Sequence, residues 1–61
     1  MFNRFGEFEG FLLEADGHEH KFFSREKKIE ELAVRAMRED RRVTVVADRD
    51  DRERPITIIV R

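Results

Sequence analysis

An amphipathic helix is predicted over residues 25–40, and the segments on both sides of it have the periodicity of β-strands. Its apolar residues recur at intervals of three and four: Ile29, Leu32, Ala33, Ala36 and Met37. This spacing puts them on one face of an α-helix and does not fit the alternation of a strand. Ser24 is the expected N-cap, because its hydroxyl can accept a hydrogen bond from the backbone N–H of Glu26 or Lys27. The helix therefore supplies one buried stripe.

Length and charge narrow the possible classes of protein. The 61 residues contain no cysteine, so a single domain over residues 1–61 without disulfides is expected. A domain of this size buries only about 60% of the surface of its unfolded chain, which makes self-association a common source of added stability. The chain contains 13 Lys and Arg residues and 14 Asp and Glu residues. It therefore lacks the general basic character of nucleic-acid-binding proteins. No apolar run is long enough to span a membrane, so we expect a soluble, cytoplasmic protein.

The N-terminal segment is predicted to form one long, curved strand over about residues 4–15. Its phenylalanines stand three apart, at positions 2, 5, 8 and 11, which suits neither a regular strand nor a regular helix. Gly10 is the expected point of a bend or β-bulge, since glycine inside a strand often marks one. Such a bend would let Phe8 and Phe11 point to the same side.

A β-hairpin is predicted where this strand ends. Asp16-Gly17 is a strong two-residue turn signal, because a type I′ turn needs positive φ at both central positions. The second strand then covers about residues 18–23. The turn implies a register in which the facing pairs are Ala15 with His18, Glu14 with Glu19, Leu13 with His20, Leu12 with Lys21, Phe11 with Phe22 and Gly10 with Phe23.

Two more strands are predicted after the helix, over about residues 42–48 and 55–61, joined by an exposed charged loop. In the last strand Ile56, Ile58 and Val60 share one face, and Ile59 lies on the other. The fold class is therefore α+β with the order β-β-α-β-β. It is either a curled antiparallel sheet packed on one helix or a small OB-like barrel. Because Val46 and Ile59 make a second face apolar, strand curvature or a homo-oligomer is expected to cover it.

The order of these segments resembles small OB-fold-like barrels of the bacterial-toxin B-subunit type. The matching segments are the glycine-bent strand FGEFEGFLLEA, the hairpin ADGHEHKFF, the helix KIEELAVRAM and the closing strands RRVTVVAD and RPITIIVR. Four strands are evident, whereas the barrels of this family have five. The resemblance implies non-enzymatic binding of an oligosaccharide or oligonucleotide and assembly into rings. It carries over no individual site residue.

No metal site, cofactor or enzymatic activity is predicted. His18 and His20 share a strand face but have no third ligand at a suitable spacing. The acidic residues of the charged loop lack the glycine and the terminal glutamate of an EF-hand. With no cysteine and a single serine, the chain also lacks an evident nucleophile and base.

The sequence thus favours a small non-enzymatic binding and oligomerisation module, a homo-oligomer that binds a partner through a sheet face. A protein, an oligosaccharide or a nucleic acid could be that partner, and a membrane is not expected. Candidate subunit contacts are Phe2, Phe5, Val46 and Ile59. Candidate ligand or nucleic-acid contacts are Arg38, Arg41, Arg42 and Arg61. The alternatives are a nucleic-acid-binding OB-like module and an engineered scaffold without a selected ligand.

Overall fold

The computed structural model describes every residue from 1 to 61 and confirms the α+β class and the order β-β-α-β-β. The elements are β1 (Gly10–Ala15), β2 (His18–Phe23), α1 (Lys27–Arg38), β3 (Val43–Ala47) and β4 (Pro55–Val60). The strands form two separate antiparallel sheets, β1 with β2 and β3 with β4. Neither sheet closes into a barrel, and the helix does not lie on one continuous four-stranded sheet.

The first hairpin has the predicted turn and the predicted register. Asp16 and Gly17 have φ values of 53° and 78°, as a type I′ turn requires. The six facing pairs run from Ala15 with His18 to Gly10 with Phe23, without a shift. The local turn chemistry is therefore sufficient to set the pairing of β1 with β2.

The first nine residues form a compact turn in place of the predicted start of a long strand. The side-chain Oδ1 of Asn3 accepts hydrogen bonds from the backbone N–H groups of Phe5, at 2.9 Å, and Glu7, at 3.0 Å. The chain reverses around these bonds, so that Phe2 and Phe8 form an isolated antiparallel bridge. The reversal places Phe8 in the core, and β1 begins only at Gly10.

The helix is shorter than predicted at both ends. Its N-cap is Glu26, which makes no side-chain capping bond, although the Ser24 hydroxyl accepts the predicted hydrogen bond from the Glu26 N–H at 3.1 Å. At the other end the N–H of Arg41 donates to the carbonyl oxygen of Ala36 at 2.9 Å, and the N–H of Asp40 donates to the carbonyl oxygen of Met37 at 3.3 Å. These two bonds, with φ of 50° at Asp40, form a Schellman motif.

The second hairpin contains a β-bulge that the sequence did not reveal. Val46 pairs with Thr57 and Ala47 pairs with Pro55, which leaves Ile56 without a partner. The expectation that Ile56 shares one face of the strand with Ile58 and Val60 is therefore wrong. Ile58 is 4% exposed, whereas Ile56 is 56% exposed, because the extra residue breaks the alternation of side chains along the strand.

Three side chains from distant parts of the chain form the centre of the core. Phe8, Ile29 and Ile58 are buried together, and partly buried apolar side chains surround them: Phe11, Leu32, Ala33, Val43, Val45 and Val60. Most of the predicted helical stripe thus faces the core. Met37 does not, since 74% of it is exposed. The hairpins are also linked by a backbone hydrogen bond of 2.7 Å from the Phe23 N–H to the Glu53 carbonyl.

Candidate binding site

An apolar groove of about 420 Å³ lies between the first hairpin and the helix and reaches β3 and β4. Nine of its eleven lining residues are hydrophobic. They are Met1, Phe11, Leu12, Leu13, Ala33, Ala36, Met37, Val43 and Ile58. Sites for small ligands commonly have volumes of about 300–1,000 Å³ and mostly apolar walls. The groove is therefore the strongest candidate for a ligand site in this fold.

Small residues on the helix and a fixed aromatic ring shape the groove. Ala33 and Ala36 occupy the positions on the helix that face it, and a larger side chain at either position would project into the space. Opposite them, the ring of Phe11 stacks on Phe22, with 5.1 Å between the ring centroids and 25° between the planes. Met37 lies at the rim and remains largely exposed. One wall of the groove is thus an aromatic ring held by a second ring, and the facing wall is a stretch of small residues on the helix.

The polar part of the lining consists of Asp40 and Arg41, at the C-terminal end of the helix. Arg41 donates from Nε to the backbone carbonyl of Arg61, and its Nη1 lies 3.3 Å from a carboxylate oxygen of Glu39. The second carboxylate oxygen of Glu39 is 3.2 Å from Nε of Arg35. Arg41 is therefore held in place by its neighbours, and Glu39 is shared between two guanidinium groups.

Three of the four predicted arginines are close together at this end of the molecule. The backbone N–H of Arg61 bonds to the carbonyl of Arg42 at 2.8 Å, and Arg41 contacts Arg61 through the bond described above. Arg38 instead borders the solvent-facing side of the helix beside Val34. Exposed ion pairs add little to stability, so the main effect of this cluster is a local concentration of positive charge.

A second feature is the apolar face of β3 and β4 that points away from the helix. Thr44 faces Ile59 and Val46 faces Thr57 across the two strands, so Val46 and Ile59 are diagonal neighbours on this outward face. They are 40% and 50% exposed. The opposite face carries Ile58, which is buried against the helix. The two-sided apolar character expected of this hairpin is thus present in the structure.

The two N-terminal phenylalanines lie on a different element, the turn formed by residues 1–9. Phe2 packs edge-on against Phe8, with the ring centroids 5.6 Å apart, and is 54% exposed. Phe5 is 74% exposed, and its ring has the guanidinium carbon of Arg4 at 5.0 Å from the centroid. Phe2 thus covers part of the core, whereas Phe5 makes no core contact.

No group of three or more His, Cys, Asp or Glu side chains is arranged to hold a metal ion. In the charged loop, Asp48 and Asp51 accept hydrogen bonds from the backbone N–H groups of Asp50 and Glu53, at 2.8 and 3.1 Å. Those carboxylates therefore shape the loop. The single helix is also too short and too polar to cross a bilayer.

Comparison of the chain with known protein families, with curated proteins and with solved structures finds no match. The functional argument therefore depends on the groove, the arginine cluster and the outward face.

Proposed function

We propose that the protein is a small binding module that self-associates through the outward face of β3 and β4. The observation that carries the proposal is the exposure of Val46 and Ile59 on a sheet whose other face is already buried against the helix. Burying apolar surface stabilises by roughly 25 cal/mol per Å². None of the five elements β1, β2, α1, β3 and β4 covers this face, and a second copy is the occupant that we propose.

The geometry suits a two-fold dimer in which the two outward faces pack against each other. In such an isologous contact the same patch is used twice, so Val46 of one copy can meet Ile59 of the other. Threonines at the remaining positions of the face, Thr44 and Thr57, are compatible with the close packing of two sheets about 10 Å apart. Ile56, exposed at the bulge, would extend the contact at one end.

Sedimentation equilibrium over a dilution series is the direct test. The proposal predicts a mass that rises from about one chain to about two with concentration, and a shift toward monomer in Ile59→Lys, because a lysine on each copy would bring like charges into an apolar contact. Phe5→Lys is the matched control. It replaces another exposed apolar side chain, on the N-terminal turn and outside the outward face, and should leave the association unchanged although the sequence alone marked Phe5 as a candidate subunit contact. A monomer at all concentrations, or equal dissociation by both substitutions, would contradict the proposal.

Nucleic-acid binding is the second candidate, and the clustering of Arg41, Arg42 and Arg61 favours it. Single-stranded nucleic acid is usually bound by positive charge together with exposed aromatic rings on which bases stack. The one aromatic ring in the groove lining, that of Phe11, is already stacked on Phe22, which makes this candidate weaker. An oligonucleotide titration at two salt concentrations tests it, since true phosphate contacts weaken steeply as salt rises.

A further inference from the structure

We propose that the groove between the first hairpin and the helix binds an aliphatic carboxylate, with the chain along the apolar walls and the carboxylate beside Arg41. This site lies on the opposite side of the second hairpin from the outward face, because Ile58 lines the groove and Ile59 does not. The proposal therefore goes beyond self-association, and either can fail without the other.

The lining determines the general form of the ligand. Nine apolar residues form the walls, and both charged lining residues are adjacent in the chain, at the end of the helix. A ligand that matches this distribution is apolar along most of its length and polar at one end. Polar groups inside the groove would lose water without gaining a hydrogen bond, which is unfavourable. An unbranched chain ending in one charged group fits both requirements.

The balance of charge at the polar end favours an anionic group. Three arginines lie close together there, at positions 41, 42 and 61, against the carboxylates of Glu39 and Asp40. Glu39 is already shared between Arg35 and Arg41. Arg41 uses Nε and Nη1 in its present contacts, and a guanidinium has five N–H donors. Its remaining donors are the groups that we expect to hold the ligand carboxylate.

A cationic ligand is the main competitor. Asp40 carries a negative charge in the lining and makes no ion pair, and the C-terminal end of a helix favours positive charge. Against this single carboxylate and the helix dipole stand the arginine side chains of residues 42 and 61, which make no ion pair, in addition to Arg41. The excess of positive charge therefore decides the sign of the ligand's polar group.

Isothermal titration with three ligands of equal chain length separates the contributions of the chain and the charge. Octanoate should bind in a saturable manner and more tightly than octanol, and octylammonium should bind most weakly. Decanoate should bind about 15-fold more tightly than octanoate, because its two additional methylenes contribute about 0.8 kcal/mol each when buried. Tighter binding of octylammonium than of octanoate, or no saturable binding of octanoate, overturns the proposal.

Two substitutions locate the site. Arg41→Gln should lower the affinity for octanoate about tenfold and leave the affinity for octanol unchanged, because it removes only the charged partner of the carboxylate. Met37→Glu should lower the affinity for both ligands, since it places a carboxylate at the groove rim. Because Met37 is largely exposed, the variant is expected to keep its fold. Val34→Glu is the control: it adds the same charge to the same helix on a surface outside the groove.

The control must keep wild-type affinity for octanoate, and a loss equal to that of Met37→Glu would place binding outside the groove and overturn the proposal. Circular dichroism of each variant shows that the fold is retained. Octanoate titration of Ile59→Lys separates this site from self-association. A monomeric Ile59→Lys protein that still binds octanoate supports the groove independently of the dimer.

Discussion

Gly10 lies so close to the backbone of Phe22 that a Cβ atom at position 10 would overlap with the Phe22 carbonyl oxygen. The φ of Gly10 is also 158°, at the edge of the region that favours glycine. We therefore expect Gly10→Ala to lower the free energy of unfolding by more than about 2 kcal/mol, because the two strands must separate locally. Urea denaturation measures this loss.

Gly6→Ala is the matched control for that substitution. Gly6 has a φ of 79°, but no atom lies within 4 Å of the position that its Cβ would occupy. Its replacement should cost only the backbone strain of about 1–2 kcal/mol. Equal losses at both glycines would show that the close approach of Gly10 to Phe22 contributes nothing.

Asn3 is expected to contribute more to stability than an exposed polar residue usually does. Its Oδ1 accepts two backbone hydrogen bonds, and its Nδ2 lies 3.1 Å from carboxylate oxygens of both Glu7 and Glu9. Asn3→Ala should lower the free energy of unfolding by about 1–2 kcal/mol, because the turn that carries Phe8 into the core loses these bonds.

Asn3→Asp serves as the comparison, because it keeps the acceptor oxygen but replaces the donor with a carboxylate near two other carboxylates. At neutral pH the aspartate variant should therefore recover only part of the stability lost in Asn3→Ala. Thermal melts followed by circular dichroism give the order of the three proteins. If the alanine variant is as stable as the wild type, the turn is held by other contacts.

Ile29 and Met37 belong to the same predicted stripe but should respond very differently to truncation. Ile29 is 1% exposed and Met37 is 74% exposed. Ile29→Ala should lower the free energy of unfolding by about 2–5 kcal/mol, because it removes buried apolar surface and leaves a cavity. That is much of the total free energy of unfolding of roughly 3–9 kcal/mol expected for a domain of this size. Met37→Ala should change stability by less than about 0.5 kcal/mol. Guanidinium denaturation of both variants checks the contrast, and similar losses would contradict the observed orientation of the helix.

Asp40→Gly should stabilise the protein. Asp40 has a φ of 50° in the Schellman motif at the helix end, where glycine has no Cβ penalty. The substitution also removes a negative charge from the negative end of the helix dipole. We expect a gain of about 1 kcal/mol in the free energy of unfolding, measured by urea denaturation. Asp50→Gly, in the exposed loop, is the control and should give no gain.

The parts of the fold that the sequence predicted correctly are those controlled by neighbouring residues. Asp16-Gly17 sets the turn of the first hairpin, and the pairing of β1 with β2 follows from that turn alone. The helical stripe likewise gave the correct core face for Ile29 and Leu32, because the period of a helix can be recognised over a few turns.

The parts that were predicted incorrectly depend on contacts between residues without a periodic signal. Nothing in the pattern of phenylalanines shows that the Asn3 side chain bonds to two backbone N–H groups and so replaces the first part of the predicted strand. The bulge at Ile56 depends on how β3 and β4 pair after a long loop. Met37 lines the open groove and is not packed in the core, so 74% of it stays exposed.

The candidate site was predicted only in part. Arg38, Arg41, Arg42 and Arg61 were selected from the sequence as a positive patch. The structure brings the last three together and places Arg38 on the solvent-facing side of the helix. The groove beside them was not foreseen, because its walls come from β1, the helix, β3 and β4. The small residues Ala33 and Ala36, which leave space on the helix, were the one available signal, and alanine on a helical stripe is equally typical of close packing.

The separation of the strands into two hairpins has a consequence for folding kinetics. The two hairpins and the helix are each formed by residues that are close in the sequence. Most backbone hydrogen bonds therefore join residues that are separated by a short stretch of chain. Mixed α/β domains typically fold more slowly than helical bundles and faster than all-β domains. The step that requires distant residues to meet is the docking of Phe8, Ile29 and Ile58. We therefore expect the folding barrier to be crossed when these three side chains come together.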